Sequence, residues 1–144
     1  MSVSETALVD TGFWIALFDP QEDQHEVVGE NDSWLDLATV VVPWPVLYET
    51  VRTRFVRHPE WLQVFDQRLK KPNVVFIDDA PYCQEAYELS VDFSTRLKRP
   101  ISMVDMLCRL LIDDPNVRID YMLTTNPGDF HDVCRTNSVE LLVV

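Results

Sequence analysis

Thr6-Ala7-Leu8-Val9-Asp10-Thr11-Gly12-Phe13-Trp14-Ile15-Ala16-Leu17-Phe18 is the stretch that decides the fold. Thr6 to Val9 is a short apolar run closed by an acid, the pattern of a buried strand. Directly after it, Phe13, Trp14, Leu17 and Phe18 recur at helical spacing, and Asp19-Pro20 stops them. A buried strand that turns at once into an apolar helix opens a strand–helix–strand unit.

The same alternation continues down the chain. Gln21 to Leu37 reads as a polar, broken helix, interrupted near Gly29 and Asn31. Thr39 to Val42 is β-branched and apolar, a second strand closed by Pro43. Pro45 opens a helix to about His58, because proline suits a first helical turn. Pro59 opens another that ends at Lys70-Lys71-Pro72, with its cations at the negative end of the helix dipole. Asn73 to Ile77 is a third strand. Asp79 is placed to cap a long helix to about Lys98, and Ser102 to start one to about Ile112. Arg118 to Leu123 and Val139 to Val143 are the fourth and fifth strands. Strands alternating with helices predict an α/β protein, a three-layer α/β/α sandwich around a mostly parallel sheet of about five strands. No repeat, low-complexity tract or linker divides it, so residues 1–144 are expected to form one domain.

Composition agrees with that class. The chain has 144 residues, 47% hydrophobic and 25% charged, the balance of an ordinary globular domain. Its longest apolar stretch, Thr39 to Tyr48, is short and holds two prolines, so no membrane span is expected. Met1 to Glu5 lacks a basic start and an apolar core, so no secretory signal is expected. Cys83, Cys108 and Cys134 are odd in number and far apart, which argues for a reduced, cytoplasmic protein without a zinc knuckle. The net charge is -12, unevenly spread. Residues 1–49 hold ten acids and no Lys or Arg, whereas residues 50–99 hold seven acids and nine bases. That arrangement permits an acidic pocket beside a basic rim; it also serves simply to keep the protein soluble.

Four acids fall at matching points of the pattern. In open α/β sheets, ligands bind beyond the carboxyl ends of the strands. Asp10 ends the first strand, Glu49 sits early in the helix after the second, Asp105 lies in the first turn after Ser102, and Asp129 lies just past the fourth strand. Each has an ordinary explanation. Asp10 suits an Asx turn, Glu49 a pair with Arg52 at i+3, Asp105 a capping box with Ser102, and Asp129 a cap for a helix from Phe130 to Arg135. Together they suggest more. Two unit charges about 4 Å apart repel by roughly 4 kcal/mol at an effective dielectric near 20. A hard divalent cation, Mg²⁺ or Mn²⁺, resolves that conflict, and it can polarise a phosphodiester and acidify a bound water.

Leu8-Val9-Asp10-Thr11, Val46-Leu47-Tyr48-Glu49-Thr50, Ser102-Met103-Val104-Asp105 and Leu123-Thr124-Thr125-Asn126 followed by Asp129-Phe130 resemble the ordered motifs of PIN-domain ribonucleases, and most of all those of VapC-like toxins. The likeness runs from about Ala7 to the C-terminus. It implies a PIN-like fold and metal-dependent endoribonuclease activity, a hydrolase cutting RNA. Asp10, Glu49, Asp105 and Asp129 would be the catalytic, metal-binding carboxylates. Thr11, Ser102 and Asn126 would support them. It further implies a toxin–antitoxin pair, with an antitoxin protein covering the acidic groove, and a homodimer. Gly12 departs from the pattern, standing where relatives carry a small polar residue. Pro127-Gly128 tightens the last loop, and Asp132 is an alternative to Asp129.

The RNA backbone would rest on Arg52, Arg54 and Arg57, with Lys70, Lys71, Arg96, Lys98 and Arg99 as further candidates for the basic rim. Large apolar residues early in the chain (Phe13, Trp14, Phe18, Trp34, Trp44) suit either a core or a dimer face. Three other readings compete. Asp10-Thr11-Gly12 matches the aspartic-protease signature, but that fold is β-rich. Ile77-Asp78-Asp79 ends the third strand where a phospho-receiver domain carries its phosphoacceptor. A PIN-like fold that binds RNA or protein without cutting is the third.

Overall fold

The computed structural model describes residues 5–143. Strands β1 (Thr6–Val9), β2 (Thr39–Pro43), β3 (Val74–Ile77), β4 (Tyr121–Thr124) and β5 (Glu140–Val143) form one sheet in the order β3-β2-β1-β4-β5. Every neighbouring pair is parallel, so the sheet is wholly rather than mostly parallel. Parallel neighbours need a crossover, and crossovers are right-handed. In this strand order the rule puts α1 (Thr11–Phe18), α2 (His25–Glu30), α3 (Trp34–Leu37), α4 (Trp44–Thr50), α5 (Thr53–Val56) and α6 (Pro59–Leu69) on one face. It puts α7 (Cys83–Thr95), α8 (Met103–Asp113) and α9 (His131–Thr136) on the other. The expected three-layer α/β/α architecture is the observed one.

The middle strand is buried on both faces, as covered parallel sheets require: Ala7, Leu8 and Val9 are fully enclosed. On one face Trp14 of α1 meets Phe65 of α6 at 5.1 Å between ring centroids, and Phe18 meets Phe55 at 5.5 Å, both edge to face. On the other, α8 buries Met106, Leu107, Leu111 and Ile112. Phe13 and Trp14 are therefore core. Trp44 is not; it stays 39% exposed and stacks on Phe76 of the edge strand.

Two expected helices differ. The helix from Pro45 does not reach His58: α4 stops at Thr50, Arg52 is extended, and α5 restarts at Thr53. The Thr50 hydroxyl donates to the Val46 carbonyl at 2.7 Å, a back-bond that favours a bend. Asp79 does not cap α7. Tyr82 holds that position, and its amide donates to the Asp79 carbonyl in the preceding turn. The phospho-receiver reading fails on topology, because β3 is an edge strand and the exposed Asp78 lies at the sheet's rim. The parallel α/β sheet also excludes the aspartic-protease reading. Among the described residues no helix is long and apolar enough to cross a membrane.

Candidate functional site

The strand order reverses between β1 and β4, and a crevice opens beyond the carboxyl ends of strands at such a point. Asp10 is the first residue past β1 and is only 4% exposed. Its amide donates to the Leu123 carbonyl of β4 at 3.1 Å. Oδ1 caps α1, accepting from the Phe13 amide at 2.9 Å, so the ordinary reading holds for one oxygen. Oδ2 accepts from the Thr124 hydroxyl. Thr124 Oγ1 accepts in turn from the Asn126 amide at 2.9 Å, and Asn126 Nδ2 donates to Asp129 Oδ2 at 2.8 Å. A continuous run of hydrogen bonds thus joins Asp10 to Asp129 across β4. Thr124 is a residue that sequence reasoning missed.

Asp105 enters from α8. Ser102 Oγ accepts from the Asp105 amide at 3.2 Å, which makes Ser102 the N-cap. The side chain of Asp105 is left free to face the other acids. Its pKa is raised from 3.8 to about 7, first by burial, then by the charges of Asp10 and Asp129, a hydrogen bond with Asp129 and the charge of Glu49. Asp10 is raised from 3.8 to about 6. Burial is the main cause; Glu49 and Asp129 add to it, while the Thr124 and Phe13 hydrogen bonds oppose it. The buried Cys108 thiol beneath them is pushed well up by burial and by Asp105, Asp10 and Glu49. Four elements therefore bring Asp10, Glu49, Asp105 and Asp129 into electrostatic reach of one another. Among the described residues the expected Glu49–Arg52 ion pair is not formed.

This donor set is all hard oxygen, and its mutual repulsion is what a divalent cation relieves. Thr11 beside Asp10 adds a buried hydroxyl with no hydrogen-bond partner. The chemistry therefore fits Mg²⁺ or Mn²⁺. Among the described residues, however, no three His, Cys, Asp or Glu side chains already close around one point.

Several finer expectations change. Asp129 does not cap α9, which starts at His131 with Phe130 at its N-cap. Asp132 is no substitute for Asp129, because Arg109 and Arg99 bind its carboxylate and hold it far below the usual range. Much of the basic rim is already paired. Arg54 binds Asp19, Lys70 binds Asp66, Lys71 binds Asp36, Arg96 binds Asp92 and Arg99 binds Asp132. The missing side chain at Gly12 leaves room that Thr125 uses: a Cβ there would lie 2.5 Å from Thr125 Oγ1.

An all-parallel sheet with acids near its switch point defines a doubly wound α/β fold, and comparison with solved structures makes the fold specific. VapC20 of Mycobacterium tuberculosis, a sarcin-ricin loop cleaving toxin, aligns with a TM-score of 0.60 at 22% identity, over 81% of this chain and 86% of that one. A chain of VapBC2 from Rickettsia felis, bound to a DNA fragment from its promoter, aligns with a TM-score of 0.58 at 14% identity, over 96% and 98%. The chain has a VapC-like PIN fold. No protein-family model matches the sequence, and no curated protein does.

Proposed function

We propose that this protein is a Mg²⁺- or Mn²⁺-dependent endoribonuclease that hydrolyses RNA phosphodiester bonds, acting as the toxin of a toxin–antitoxin pair. One observation carries the reading: Asp10 and Asp105, from two separate elements at the switch point, have pKa values raised first by burial and then by neighbouring charges that include Glu49 and Asp129. Asp10, Glu49, Asp105 and Asp129 would hold the ion, which supplies phosphate polarisation and an acidified water. Asp10 is the fixed member, locked by Phe13 and Thr124. Asn126 orients Asp129. Asp105, raised to about 7, would give up its proton on holding the ion.

Arg52 and Arg57, both exposed, are the rim residues proposed to meet RNA phosphates, with Arg54 joining once it leaves Asp19. The fold shared with VapBC2 supports an antitoxin partner; positive charge on that partner would complement the acidic edge, and a cytoplasmic setting belongs to the same proposal. The proposal includes a homodimer, with the exposed, stacked Trp44 and Phe76 as the apolar surface open to a second copy. The test is RNA cleavage with Mg²⁺ or Mn²⁺ and with chelator, for wild type, Asp10→Asn and Asp105→Asn. Cleavage by wild type alone, abolished by chelator, is expected. Undiminished cleavage by both folded variants refutes the site. A non-cleaving PIN-like binding module is the second reading, favoured by the absence of a ready-made ligand cage among the described residues. Calorimetry that detects no binding at millimolar Mn²⁺ decides for it.

A further inference from the structure

Asp129 stands on a single 3-10 turn, Pro127–Asp129, closed by the Phe130 amide donating to the Pro127 carbonyl at 3.1 Å. A Cβ at Gly128 would meet nothing closer than 3.8 Å, so the turn is not wedged by packing there. Asn126 holds the Asp129 carboxylate, and two arginines bridged by Asp132 hold the backbone of the turn. Arg109 lies one helical turn after Asp105 on α8, on the same face. Its Nη1 donates to the Asp129 carbonyl at 2.8 Å and to Asp132 Oδ1 at 2.7 Å, and its Nη2 donates to Asp132 Oδ2 at 2.9 Å. Arg99 donates from Nη2 to the Gly128 carbonyl at 2.8 Å and grips Asp132 from Nη1 at 3.1 Å. The Arg109 side chain is 11% exposed and lies over the Phe93 ring. A planar, bidentate fork fixed by a buried stem transmits position as well as charge.

We infer that Arg109, Asp132 and Arg99 form a clamp that docks the Pro127–Asp129 turn against α8 and so sets where Asp129 stands relative to Asp105. These are positioning residues for the ion site proposed above, on which the inference rests for its functional consequence. Supporting contacts of this kind are worth about tenfold or more in metal affinity.

The experiment uses the full chain as wild type, Arg109→Met, Asp132→Asn, Asp129→Asn and the Arg109→Met/Asp129→Asn double variant. Hydrogen exchange is followed at the Asp129 and Phe130 amides, and Mn²⁺ affinity by calorimetry. Arg109→Met and Asp132→Asn are expected to speed exchange at those two amides selectively, leaving core strands protected. Each should weaken Mn²⁺ binding about tenfold. In the Asp129→Asn background Arg109→Met should cost nothing more, since the clamp acts through Asp129. Arg109→Lys, which keeps the charge and loses the fork, should restore only part of the affinity. If Arg109→Met fails to fold, Asp132→Asn and Arg99→Met carry the same comparison. Unchanged exchange at the two amides, or fully additive losses in the double variant, overturns the clamp. Wild type that binds no Mn²⁺ refutes the ion reading instead, and exchange at the turn then decides the clamp by itself.

Discussion

Replacing Asp105 by Asn is expected to stabilise the ion-free protein, although it deletes a site residue. The folded pKa of Asp105 is about 7 against an ordinary 3.8. Below pH 3.8 the carboxyl is neutral in both folded and unfolded chains, and its environment costs nothing. Between 3.8 and about 7 the unfolded chain ionises while the folded chain keeps its proton. Folding stability is then lost steadily as pH rises. Above about 7 the loss is complete. The difference between the two values corresponds to about 4 kcal/mol at about 1.4 kcal/mol per pH unit. Asp105 is only partly buried, and solvent screening reduces this to about 2 kcal/mol.

Asn is neutral at every pH and can donate from Nδ2 to the Asp129 carboxylate, so it removes the repulsion without breaking the contact. Urea unfolding in chelator should find Asp105→Asn within about 0.5 kcal/mol of wild type at pH 4.5 and about 2 kcal/mol more stable at pH 8. Saturating Mn²⁺ should reverse the order. Wild type gains about 2.7 kcal/mol at a hundredfold excess over Kd, a gain that the variant largely lacks. A variant no more stable than wild type at pH 8 in chelator would refute the proposed crowding of carboxylates. So would a stability difference that does not change with pH.

Two further outcomes test the surrounding framework. Gly12→Ala should cost about 1–3 kcal/mol, because the new methyl meets Thr125 Oγ1 at 2.5 Å. The cost should nearly vanish in a Thr125→Ala background, where the remaining Thr125 Cβ position lies 3.9 Å away; a double-mutant cycle by urea unfolding measures both. Phe65→Ala should cost about 3–5 kcal/mol in the same assay, since the ring is 1% exposed and packs against Trp14, Phe18 and Phe55.

What was legible in the sequence is what local chemistry decides. Thr39–Val42 could be read as a strand because four β-branched or apolar residues end at a proline. Ser102 could be read as a cap because the residue three places on offers its amide, and the structure keeps that contact. The interruption at Val51 and Arg52 escaped because it depends on a Thr50 hydroxyl turned back onto its own helix. The support of Asp10 by Thr124 spans 114 positions, and no local pattern signals it. Arg109 was invisible for the same reason. On the sequence it is a lone cation in an apolar helix, and only folding brings Asp129 and Asp132 beneath it. Asp132 was misjudged because a carboxylate's availability depends on which cations reach it first.

The acidic edge stays acidic because the nearby cations close on other partners. The first 49 residues contain no Lys or Arg, so α1 and α4 have no cation of their own to set beside Asp10 and Glu49. Arg109 lies one turn from Asp105, and Arg99 reaches the neighbouring loop, yet both forks close on Asp132. Arg109 touches Asp129 only through its backbone carbonyl. A protein that needed these charges neutralised for stability would gain by turning Arg109 onto Asp105 or Asp129. Instead, Asp10 and Asp105 keep raised pKa values, and folding bears the cost of their burial and of the repulsion added to it. Stored repulsion of this kind is relieved only by a proton or by a cation from outside the chain. A divalent ion relieves more of it than a proton, because it acts on several carboxylates at once.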